Sequence, residues 1–179
     1  MKNNKYKILV LSDLKDKSEQ VLRYAAKLSH EIDASVEFFH VKAATEISQV
    51  ENPLTAIRLI SDVCSKIEKK VKDLVAPIAE ENNIKIKTTF AFGNIKNEIE
   101  NCIKKSQPDM IILGERKREN FKFLGNNITR LVRKNYDGVV FVATDKTVLD
   151  SNGEVSLDSL GLKNNIANYN LKSKKELTA

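Results

Sequence analysis

The chain has 179 residues, 41% of them hydrophobic and 30% charged, with a formal net charge of +6, which fits one ordinary globular domain with room for an appendage. There is no tryptophan and aromatics make up only 6%, so the core must be aliphatic. No apolar run approaches the ~20 residues of a membrane helix. Ile8–Leu11 is too short for a signal-peptide core, and no small-residue cleavage site follows it. Two cysteines and two histidines lie too far apart for a zinc pattern, and Cys64 and Cys102 are expected to be reduced core residues. The expected compartment is the cytoplasm. The lysines are scattered through helical stretches, which reads as a solvated surface and not as a nucleic-acid footprint.

Tyr6–Ser12 is a continuous Ile/Leu/Val run, the mark of a strand buried on both faces of a parallel sheet. Asp13 follows, and Asp16 with Glu19 has capping-box spacing, which starts a helix whose stripe is Val21, Leu22, Ala25, Ala26 and Leu28. Ala34–Val41 reads as the second strand, and residues 43–53 as a polar connection. From Leu54 a long helix carries Ile57, Ile60, Val63, Cys64, Ile67, Val71, Leu74, Val75 and Ile78 at three- and four-residue spacing. Pro77 is expected to kink or end it. Ile84–Phe92 is the third strand. Gly93 turns the chain, and Asn94 caps a helix with Ile95, Ile99, Cys102 and Ile103 on one face. Met110–Leu113 is the fourth strand, ending at Gly114. A charged stretch, 115–124, leads to a short helix opened by Gly125-Asn126-Asn127. Val139–Ala143 is the fifth strand.

Strands and helices therefore alternate, which predicts a doubly wound, Rossmann-like, five-stranded parallel sheet with helices on both faces, a three-layer α/β/α domain over 1–144. Residues 145–179 break the pattern. Asn, Ser and Lys dominate there, five acidic residues balance five basic ones, and the few apolar side chains allow either a loose terminus or a segment that docks on a protein.

In such a sheet ligands bind beyond the carboxyl ends of the strands, where strand order reverses. Asp13 and Gly114 stand at two of those ends. The helix start at Gly125, Asn126 and Asn127 offers backbone N–H groups to an anion at the same edge. The segments KILVLSDLKDKSEQVLRYAAKLS, FFHV and PDMIILGERKRENFKFLGNNITRLVRKNYDGVVFVA resemble the universal stress protein family over roughly residues 5–143.

The resemblance implies a regulatory module acting as a homodimer through nucleotide or partner binding, with ATP or another adenine nucleotide as the cofactor and the edge strand Val139–Ala143 as the dimer contact. It implies that Asp13 meets the adenosine part, that the backbone at Val41 meets the adenine, and that phosphates lie on a loop beginning at Gly114. The chain departs from the family's glycine pattern there. Lys117 stands at the second glycine, seven residues instead of nine precede Gly125, and Asn126 replaces Ser or Thr. A lysine brings a Cβ into space that glycine leaves open, while Arg116, Lys117, Arg118 and Lys122 place positive charge beside the cleft.

The bland alternatives are a turn cap for Asp13, tight turns for Gly114 and Gly125, a near-core role for His40 and a solvated basic loop. A receiver domain would need an Asp after the third strand, where Phe92-Gly93-Asn94 stands. An ATP pyrophosphatase would need glycines in SDLKDKS. No general base or metal set can be named, so no catalysis is expected. The other functional class is an accessory subunit, docking on a transporter or another protein through 145–179 without nucleotide.

Overall fold

In the computed structural model the described residues are 4–15, 17–44, 52–114 and 125–143, the side chains of 125–127 aside. Five parallel strands, β1 (Tyr6–Ser12), β2 (Ala34–Ala43), β3 (Ile86–Gly93), β4 (Met110–Gly114) and β5 (Val139–Ala143), alternate with α1 (Ser18–Glu31), α2 (Pro53–Glu81), α3 (Ile95–Ser106) and α4 (Gly125–Asn135). The sheet order is β3-β2-β1-β4-β5, so the chain winds outward from β1 to β3, crosses over, and returns on the other side of β1. That reversal places the topological switch between β1 and β4.

Each strand face feeds its own core. Ile8, Val10, Val36, Phe38, Met110 and Ile112 pack under α1 and α2. Leu9, Leu11, Phe39, Ile111 and Leu113 pack under α3 and α4 through Ile99, Cys102, Ile103, Ile128 and Val132. The alternation follows from the two-residue period of a strand, and both faces being covered explains why the central strands are apolar without interruption. The Tyr24 ring of α1 stacks on Phe141 of β5 with centroids 5.0 Å apart, which ties the edge strand to the first helix. Burial raises the Cys102 thiol to about 11, with the nearby Glu37 carboxylate adding to the shift. Glu37, buried in β2, is held by Lys87 Nζ at 2.9 Å and Thr89 Oγ1 at 3.2 Å.

Five details differ from the sequence expectation. α1 starts at Ser18 behind Lys17, whose side chain makes no capping bond; Asp16 lies outside the described residues. The hydroxyl and carboxylate chemistry at this helix start comes instead from Ser12, Asp13 and Ser18. β2 runs on to Ala43 because β3 continues to pair with it, and β3 itself begins at Ile86.

α2 passes through Pro77 without ending there. Pro77 and Asp73 are both exposed, so the carbonyl that loses its N–H partner faces water. Val75 and Ile78 are buried, which holds the last turns on the sheet, and Asn82 Nδ2 donates to the Ile78 carbonyl at 2.8 Å. Finally, the stripe of α2 is buried only from Ile67 onward; Ile57 and Ile60 are exposed.

Candidate functional site

β1 leaves the sheet abruptly. Its pairing with β2 stops at Ser12 opposite His40, while β2 and β3 stay paired three residues further, to Ala43 opposite Gly93. Val41, the residue expected to meet adenine, therefore lies just past β1's last paired residue, on a stretch of β2 edge that β1 no longer covers. On the other side Leu11 is opposite Leu113, so Gly114 sits level with Ser12. Asp13, Val41 and Gly114 thus converge on one crevice at the carboxyl edge of the three central strands.

The turn after β1 is built from its own side chains. Ser12 Oγ accepts the Leu14 N–H at 3.1 Å and donates to Ser18 Oγ at 2.7 Å. Asp13 Oδ1 accepts the Lys15 N–H at 3.1 Å, and Ser18 Oγ lies 3.5 Å from it. Leu14 takes a left-handed backbone (φ 57), which costs a non-glycine residue about 1 kcal/mol or more. The Ser12 bond to its N–H and the packing of its side chain against the α1–α2 core offset that cost. The turn is thus fixed in place, with Asp13 serving as a turn cap at the mouth of the crevice.

His40, buried in β2, lies 3.0 Å from the Ser12 carbonyl through Nδ1. A carbonyl only accepts, so Nδ1 carries the proton and the ring braces the end of β1. The near-core reading of His40 holds, and this added role as a brace for Ser12 went unread in the sequence. Ser12 and Ser18 were missed as well; their signal is the pair of serines that bracket DLKDK.

Gly114 faces α1. A Cβ there would stand 3.1 Å from Val21 Cγ2 and 3.9 Å from Lys17 Cβ. The missing side chain lets the first turn of α1 settle over the end of β4, a packing requirement that is present whatever occupies the crevice. Gly114→Ala is expected to cost about 1–2 kcal/mol by crowding Val21, read from urea unfolding; an unchanged midpoint would contradict this contact.

The backbone of α4 begins at Gly125. Because α4 follows β4 and runs back along the sheet, its start lies at the same edge as Asp13, where the N–H groups of a helix start and the helix dipole favour an anion. Lys117, with Arg116, Arg118 and Lys122, lies outside the described residues. Among the described residues no three His, Cys, Asp or Glu side chains are grouped to hold a metal ion, and no helix is long and apolar enough to cross a membrane.

Known proteins share this architecture. The universal stress protein UspA from Lactobacillus plantarum superposes with a TM-score of 0.63 at 19% identity, covering 78% of this chain and 97% of that one. A universal stress protein in complex with cAMP gives 0.55 at 10% identity, with 79% and 98% covered. The universal stress protein from Archaeoglobus fulgidus in complex with dAMP gives 0.52 at 16% identity, with 76% and 96% covered. At these identities the likeness speaks for the fold. No curated protein sequence matches the chain. The profile of the universal stress protein family matches residues 6–135, which takes in every element from β1 to the end of α4. With strand order, switch point and sequence profile in agreement, this chain belongs to the universal stress protein family.

Proposed function

We propose that the chain is a non-catalytic regulatory module that takes an adenine nucleotide in the crevice between β1, β2 and β4. The observation that carries this reading is the β2 edge at Val41–Ala43, which runs on past the last β1 pair beside the fixed Asp13 turn. A planar base can meet the backbone of that edge. Asp13 offers carboxylate oxygens to the ribose hydroxyls, and the start of α4 supplies N–H groups to a phosphate. The related structures in complex with cAMP and dAMP support an adenine ligand.

Lys117 and its three basic neighbours contribute charge in place of the second glycine of the family pattern. A charge clamp holds phosphate less by shape than a backbone cradle does, so ATP, AMP and cyclic AMP are expected to bind within about tenfold of one another. Calorimetric titration with the three nucleotides tests this. Saturable binding of at least one supports the reading, and no heat at millimolar nucleotide rejects it.

The module works as a homodimer through β5. As one of the two edge strands of the sheet it is apolar along its length, and its residues from Val139 to Val142 are only half-buried. An apolar edge strand needs a cover. Sedimentation is expected to give twice the monomer mass, falling to the monomer in a Val140→Lys variant; a monomeric parent protein would remove β5 as the contact.

A further inference from the structure

α2 is longer than the sheet it covers. Its 29 residues span ~43 Å at 1.5 Å per residue, whereas the ten residues of β2 span ~33 Å. Its C-terminal end is fixed at the amino edge of the sheet. Arg23 of α1 pairs with Glu81, and His30 Nε2 meets the Asn82 carbonyl at 2.7 Å. The excess therefore projects past the carboxyl edge, as the first turns of the helix.

Those turns keep the apolar pattern. Ile57, Ile60, Cys64, Ile67, Val71, Leu74 and Ile78 follow one another at alternating three- and four-residue steps, a single unbroken seam. Its lower half is the protein's own core. Its upper half faces water, with Ile57 63% and Ile60 38% exposed, and Leu54 at its margin 70% exposed. Such a stripe, contiguous and on a well-formed helix, is a contact surface in want of a cover.

We propose that residues 149–162 of the same chain lie along this upper seam. Three observations select them. The first is area: side chains of this size and exposure present on the order of 400 Å², about half of what each partner in a free, stable association buries. A tethered segment is at millimolar effective concentration and needs no more than that.

The second is charge. LDSNGEVSLDSLGL carries Asp150, Glu154 and Asp158 and no cation, interleaved with Leu149, Val155, Leu157, Leu160 and Leu162. The upper seam itself carries Arg58 against Asp62, and the exposed side of the turns just below it carries Lys66, Lys69, Lys70 and Lys72 against Glu68 and Asp73, with Arg58, Lys69 and Lys72 continuing the row of Leu54. The third is reach. β5 ends at Ala143, at the same carboxyl edge, and twelve residues on, Val155 can be up to ~40 Å away. The whole sheet is only four inter-strand steps wide, ~19 Å.

The test uses the full chain and a Leu157→Asp/Leu160→Asp variant, followed by hydrogen–deuterium exchange of the peptide 53–63. The variant is expected to exchange there about tenfold faster, with peptides from β1 and β2 unchanged. Alkylation of half-exposed Cys64 should rise several-fold in parallel, independent of protein concentration, while buried Cys102 stays slow. Equal exchange and equal alkylation in the two proteins would overturn the proposal. So would protection of 53–63 that grows with protein concentration and survives the tail substitutions, which would make a second copy the occupant.

Discussion

Phe38→Ala is expected to destabilise the domain by about 3–5 kcal/mol, the range for emptying a fully buried aromatic site. Phe38 is fully buried in β2, under α1 and α2, and is the largest of the fully buried side chains. In the sheet it lies between Val10 of β1 and Thr88 of β3, and it shares its core with side chains of α1 and α2, so truncation empties a site closed on all sides. Lys104→Ala offers the internal control, since the side chain it shortens is exposed on α3. That change should stay within about 0.5 kcal/mol. Urea unfolding of both variants checks the pair. Equal losses would mean that burial does not rank these positions.

Asp13→Ala is expected to weaken nucleotide binding by about 10–100-fold, the worth of a hydrogen bond to a charged group. The same carboxylate accepts the Lys15 N–H, so alanine also removes a turn cap. Asp13→Asn separates the two roles. Asparagine keeps an oxygen for Lys15 and should leave unfolding within about 0.5 kcal/mol of the parent, yet lose about tenfold in affinity because its amide is a weaker acceptor for ribose hydroxyls. Parent-like affinity in both variants would restrict Asp13 to the cap.

The central sheet could be read directly from the sequence. Ile8–Leu11 and Met110–Leu113 are uninterrupted aliphatic runs because both faces of β1 and β4 are covered. The periodicity of α2 was equally plain, but periodicity reports which face is apolar, and says nothing of how far the supporting sheet extends. Hence Ile57 and Ile60 carry the pattern of a core and the exposure of a surface. Pro77 does not end the helix for a related reason: termination depends on whether the freed carbonyl meets water, and Pro77 and Asp73 are both exposed.

At the site, topology alone brought Asp13, Val41 and Gly114 to one edge. The contact of Gly114 with Val21, the Ser12–Ser18 hydroxyl pair and the His40 brace arise from packing of α1 and β2 against strand ends. Local sequence does not encode those distances. Lys117 and its basic neighbours belong to the stretch between β4 and α4, where the sequence remains the guide.

The account turns on the crevice at the carboxyl ends of β1, β2 and β4, and the most direct measurement is an amide chemical-shift map of isotope-labelled protein titrated with AMP. The account predicts saturable shifts clustered at Asp13–Lys15, Val41–Ala43, Gly114 and the first turn of α4, with the amino edge of the sheet unmoved. Shifts that cluster elsewhere, or none at millimolar AMP, would contradict it.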